Sequence, residues 1–280
     1  MGSGPGKAVG SRIAQKPVHS LLDNLAREAD RLGRLSQVAR FGGVSRLRLP
    51  GYVARLVICL AAVVAANGMP SLAVAARAPA RVLVYAGNHA IDEGYTKFGK
   101  AARAKVVTRS VLPAALSRYR CVVLPVNQVR FTARQKATFA AYLARGGRIL
   151  AIAEFQEFSA ASVRTMNNLA SSLGTGLRLT PANVARRFHT TRRILPSSFT
   201  RQVRAIRFAA TSLVRVVVRG HARALVQTSR GKTFIGVNRM RHGVFMLSGD
   251  SNVFSDFSNT GYTKQDNGVL VRNFCAFPPF

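Results

Sequence analysis

From residue 81 onward, short apolar runs alternate with longer stretches whose apolar positions recur at helical spacing. Residues 81–86 are a compact apolar segment ending in a glycine-bearing turn, the pattern of a buried strand, and residues 105–108, 121–126 and 148–153 read as three further short strands. Between them, residues 95–103 read as a helix, and Thr132 is placed to cap a second helix over 133–145 that Gly146-Gly147 stops. Val163, Met166, Leu169 and Leu173 mark a third helix over 159–175. Strands and helices alternating at this spacing predict a parallel sheet with right-handed crossovers.

After Gly176 the rhythm changes. Residues 206–209, 213–218, 224–228 and 233–237 are short β-type runs separated by Gly220 and by Ser229-Arg230-Gly231, which predicts a β-meander or edge extension at about 205–238. Residues 244–247 form a last buried strand, which breaks into the turn Gly249-Asp250-Ser251-Asn252. Gln265-Asp266-Asn267-Gly268 then leads into a closing helix over 269–274. The expected fold is therefore α/β: a flavodoxin-like three-layer sandwich with a mostly parallel sheet and an added β-meander segment.

Upstream the pattern differs. Residues 1–50 are basic and read as disordered or short-helical, with Leu21, Leu25, Ala29, Leu32 and Leu35 at helical spacing. In residues 51–76 an arginine-bearing flank precedes the apolar run 56–66 and the small-residue ending Ala73-Val74-Ala75, which reads as a signal peptide or a membrane anchor. Export of a domain spanning residues 81–280 follows, to an extracytoplasmic location, secreted or membrane-anchored. A start near Val44 would bring the N-terminal region to ordinary signal-peptide length.

Charge changes the picture only partly. There are 42 Lys+Arg against 10 Asp+Glu, a formal net charge of +32. Such an excess points to nucleic acid, an anionic membrane surface or an acidic polymer. The cations are dispersed, however, no basic block reaches five residues and tryptophan is absent, so nucleic acid is not the expected partner. The acids carry more information. Beyond the apolar segment they are Asp92, Glu93, Glu154, Glu157, Asp250, Asp256 and Asp266, each soon after a predicted strand. In an open α/β sheet that edge is where ligands bind. The same residues are also ordinary turn and cap formers. Cys121 opens a predicted strand and Cys275 ends a predicted helix, so both fall at the opposite edge and can form a disulfide in an exported domain.

Residues 81–86 with Gly87-Asn88-His89, the helix-Gly146-Gly147-strand unit, and Gly249-Asp250-Ser251-Asn252 with Asp266-Asn267 resemble the class I glutamine amidotransferase-like superfamily. The likeness is to its non-amidotransferase branches, the ThuA-like domains and the gliding-motility and intraflagellar-transport type domains. That family's nucleophilic cysteine follows the fourth strand, where this chain has Ala153-Glu154-Phe155. Its His-x-Glu pair corresponds to Asp250-Ser251-Asn252. The resemblance thus implies that glutamine hydrolysis by the family's usual route is absent.

The leading expectation is a non-catalytic domain binding a small-molecule, carbohydrate or protein ligand through Asn88, His89, Glu154, Asp250, Ser251, Asn252, Asp256, Asp266 and Asn267. The alternative is a hydrolase on a carbohydrate-like or amide substrate, using His89, Glu154 and Asp250. It could work through a Ser251–His89–carboxylate relay or a divalent metal held by His89, Glu154, Asp250 and Asp256. A nucleotide cofactor is not expected, because Gly87-Asn88-His89 lacks the phosphate-binding glycine pattern.

Overall fold

The computed structural model describes residues 80–91, 94–184, 188–217 and 221–276. The expected N-terminal helix, the apolar segment and Asp92-Glu93 lie outside them. In chain order the elements are β1 (Arg81–Tyr85), α1 (Phe98–Ala102), β2 (Lys105–Arg109), β3 (Cys121–Leu124), α2 (Ala133–Ala144), β4 (Arg148–Ile152) and α3 (Gln156–Ser172). Then come β5 (Leu177–Val184), β6 (His189–Thr191), β7 (Ile206–Phe208), β8 (Thr211–Val216), β9 (Ala222–Gln227), β10 (Thr233–Met240), β11 (Gly243–Ser248) and α4 (Asn267–Ala276).

Seven strands form the central sheet in the order β2-β1-β3-β4-β11-β10-β9. The first five of these run parallel, and β10 and β9 continue the sheet antiparallel. Alternation along each strand divides the core in two. Val82, Val84, Val123, Leu150 and Met246 face one side, with Phe98 of α1 and Leu270, Val271 and Phe274 of α4. Leu83, Val122, Ile149, Ala151 and Phe245 face the other, with Phe139 and Leu143 of α2 and Met166 and Leu169 of α3. The result is the three-layer α/β sandwich that the apolar runs predict.

Local signals account for several boundaries. Thr132 and Gln135 form a reciprocal capping box at the start of α2. Gly146 ends the turn after α2 at φ +86°, a conformation costly for a residue with a Cβ. Helix α3 starts at Gln156, before the expected Leu/Val periodicity, and Ser159 breaks it with non-helical φ/ψ of −148° and 74°.

The β extension differs from the meander expected. Only β9 and β10 join the sheet; β8 pairs with β5, and β7 with β6, in separate two-stranded ribbons. The β5 run, Leu-Arg-Leu-Thr-Pro-Ala-Asn-Val, is half exposed and holds a proline, so it carries no continuous apolar signal. At the amino edge of the sheet Cys121 and Cys275, both fully buried, form a disulfide across 154 residues of chain. The expected pairing is thus present. Among the described residues no helix is long and apolar enough to cross a membrane.

Candidate functional site

Strands β4 and β11 are parallel neighbours with Ile152 opposite Ser248, so Glu154 and Asp250 each stand two residues past that pair, at the carboxyl edge. Between them Gly249 packs so closely on the Ser212 carbonyl that a Cβ would collide with it. The Ser212 N–H donates to the Gly249 carbonyl at 3.0 Å, which pins β8 over the edge.

Glu154 is 2 % exposed. One carboxylate oxygen, Oε2, accepts the Ser251 hydroxyl, and Oε1 accepts the Phe155 N–H at 3.0 Å. Its own N–H donates to Ser162 Oγ at 3.3 Å, and its carbonyl accepts from Ser212 Oγ at 3.1 Å. One residue therefore ties β4 to α3, to β8 and to the loop after β11. Asp250, fully buried, uses Oδ2 to accept from the Ala209 N–H and Oδ1 from the Asn252 N–H, both at 2.7 Å. These are charge-assisted bonds to backbone amides, about twice as strong as neutral ones.

The remaining acids point elsewhere. Asp256 accepts from the Thr96 hydroxyl at 2.7 Å and the Lys97 N–H at 3.2 Å, capping the first turn of α1 from outside. Asp266 accepts from the N–H groups of Arg204 (2.7 Å) and Ala205 (3.0 Å). Asn267 brackets the Arg207 backbone, accepting its N–H at 3.0 Å and donating to its carbonyl at 2.8 Å. Asn88, at φ +54°, donates to the carbonyls of Val129 and Arg130 and accepts the Tyr85 hydroxyl at 2.6 Å. Burial raises the Tyr85 pKa, and the hydrogen bond from Gln135 offsets part of that. His89 is exposed at φ +49°.

The structure thus joins Glu154 to Ser251 and Asp250 to the Asn252 N–H, and commits Asn88, Asp256, Asp266 and Asn267 to partners of their own. Ser251 gives its proton side directly to Glu154, and among the described residues no hydrogen bond inserts His89 between them, so the Ser–His–carboxylate relay is not assembled. Nor do any three His, Cys, Asp or Glu side chains gather to hold a metal among the described residues; His89, Glu154, Asp250 and Asp256 do not form the metal site. At the turn after β4, Glu154 is not among the non-glycine residues with positive φ. The strained elbow that exposes a nucleophile at such a turn is absent.

The sequence reading missed an aromatic rim at this edge. Phe155 and Phe158, just past β4, stack with centroids 5.9 Å apart, and Phe158 is 58 % exposed. Past β11, Phe257 packs on Phe188 at 6.2 Å, with the Arg207 guanidinium 5.8 Å from the Phe188 ring. The one available signal was positional: Phe155 and Phe158 closely follow the β4 run and Phe257 the β11 run, outside any apolar period.

No protein-family model matches the sequence, and no curated protein matches it. Solved structures do resemble the fold. The mmIFT52 N-terminal domain aligns at TM-score 0.54 and 17% identity, covering 68% of this chain and 93% of that one. The cytoplasmic protein STM3548 from Salmonella typhimurium aligns at TM-score 0.50 and 10% identity, covering 72% of this chain and 100% of that one. A putative ThuA-like protein from Bacteroides uniformis aligns at TM-score 0.44 and 14% identity over 71% of this chain and 91% of its own. At these identities the likeness shows the fold alone, an α/β three-layer architecture around a mostly parallel sheet.

Proposed function

We propose that residues 81–280 are a non-catalytic member of the amidotransferase-like superfamily that binds a ligand or protein partner at the carboxyl edge of its sheet. The observation that carries this is the state of Glu154. It lies in the Ala153-Glu154-Phe155 turn, where the resemblance puts the family's nucleophile, yet it is buried and hydrogen-bonded to Ser251 and Phe155. Asp250, at the position of the family's base, is likewise spent on backbone amides. Among the described residues such an edge holds no free nucleophile–base pair. What it presents outward includes the exposed rings of Phe158, Phe188 and Phe257, a residue type enriched at protein interfaces. The disulfide supports an oxidising, extracytoplasmic location, because such bonds persist there and are rare in reducing compartments.

A photo-crosslinking residue in place of Phe158 tests the reading in a native-like bacterial host. The control is the same residue in place of the exposed Arg241, in the hairpin at the opposite edge of the sheet. Discrete crosslinked species from position 158 and none from 241 are expected. Equal crosslinking from both positions contradicts the reading. A hydrolytic turnover that vanishes in Ser251→Ala while the fold is kept would replace it with the hydrolase.

A further inference from the structure

The crossover between β2 and β3 has no helix: residues 110–120 form turns and extended chain. They run over the α2/α3 side of the sheet, where Leu112, Leu116 and Tyr119 pack with that core. Elsewhere on that side α2 and α3 cover the strands, but over β2, the edge strand, a cleft of about 540 Å³ stays open. Its walls are Val106, Val107, Thr108, Pro113 and Tyr119 together with four cations, Arg81, Lys105, Arg109 and Arg118.

The cations share the cleft because of register. Leu83 and Tyr85 face the α2/α3 core, so Arg81, two residues before Leu83, faces the same way. Val107 packs at that core's margin, so Lys105 and Arg109 flank it on the same face. Arg81 pairs with Lys105 and Tyr85 with Arg109, which sets the two ends of the cleft four residues apart along the strand. At about 3.3 Å per residue, that is roughly 13 Å.

No lining residue is acidic. Every described carboxylate has a partner elsewhere: Glu154 has Ser251, Glu157 has Asn183, Asp250 has Ala209, Asp256 has Thr96 and Asp266 has Arg204. The field in the cleft is therefore positive along its whole length, within a concavity of the size that holds a small ligand.

We propose that this cleft binds an elongated multi-anion of small cross-section, with phosphate or carboxylate groups at both of its ends. The arginine fork matches either group in two parallel hydrogen bonds. The walls disfavour single-stranded nucleic acid, which needs exposed ring faces for its bases. Tyr119 is the only aromatic residue in the lining and is 7 % exposed. The site is separate from the carboxyl-edge reading and does not depend on it.

Isothermal titration of the full chain in 150 mM salt, with linear hexapolyphosphate in one arm and tetragalacturonate in the other, tests the proposal. Saturable one-to-one binding of at least one probe is expected, and the arm that saturates identifies the anion's source. In Lys105→Gln/Arg118→Gln the affinity should fall at least tenfold. In Arg230→Gln/Lys232→Gln, which removes the same charge from the β9–β10 turn, it should change less than threefold. Equal loss in both variants would mean a diffuse field rather than a site and would overturn the proposal, as would the absence of saturable binding to either probe.

Discussion

The two edges of the central sheet are built from opposite materials. At the carboxyl edge stand two buried acids, and backbone N–H groups or hydroxyls meet them: Glu154 with Phe155 and Ser251, Asp250 with Ala209 and Asn252. At the amino edge it places a cross-link and a buried cation. Cys121 of β3 is bonded to Cys275 of α4, and Arg148, 2 % exposed, donates from Nη1 to the Phe274 carbonyl at 2.6 Å. A helix C-terminus favours positive charge, so Arg148 complements α4 there. Burial nonetheless lowers its pKa to about 10, and it raises that of nearby Tyr142 to about 12. Both edges thus use their polar residues to join helices and loops to strand ends. A cluster of acids at the ligand edge of such a fold is not by itself a catalytic centre.

The largest expected effect lies at the amino edge. Cys121→Ala/Cys275→Ala releases a closure spanning 154 residues and should lower unfolding free energy by roughly 2–5 kcal/mol, read by chemical denaturation against the oxidised parent. A loss below about 1 kcal/mol would mean that α4 is held there by packing alone.

A smaller effect is confined to alkaline pH. Burial raises the Tyr142 pKa from 10 to about 12, with Arg148 pulling in the opposite direction. Between those values the unfolded tyrosine loses its proton while the folded one keeps it, so stability falls as pH rises through that window. Relative to Tyr142→Phe, the parent should lose about 1.4 kcal/mol between pH 8 and pH 11. Parallel pH profiles for the two proteins would show that the Tyr142 hydroxyl, which donates to the Tyr119 carbonyl at 2.9 Å, is not desolvated as described.

These comparisons also show which features were legible in the sequence. Four of the five parallel strands were readable because burial on both faces leaves unbroken apolar runs, such as Val82–Tyr85 and Val244–Leu247, while the half-exposed edge strand β2 showed only as Val106-Val107 between polar residues. Thr132 and the glycines after α2 gave true boundaries because capping and positive φ restrict residue type. The disulfide followed from placing each cysteine at one end of its element. β7 and β8 were read as β-type runs, but their partners β5 and β6 were not, since short or half-exposed strands with a proline or polar residues carry little period. At the site, the sequence located the edge but not what its residues do. Asp250, Asp256, Asp266, Asn88 and Asn267 cap turns with the same atoms that would hold a ligand, and only their partners tell the roles apart. Phe155 and Phe158 went unnoticed because phenylalanine reads as core wherever it stands.

On the proposed function, Glu154 holds the carboxyl edge together rather than acting on a substrate. Residues kept for chemistry usually cost stability, so replacing them leaves a fold unchanged or more stable. A buried carboxylate that accepts structural hydrogen bonds contributes stability instead. The deciding measurement is the unfolding free energy of Glu154→Gln at neutral pH, by denaturant titration with the parent alongside. The account predicts a loss of roughly 1–3 kcal/mol. Stability equal to or above the parent's would contradict it and mark Glu154 as a functional group.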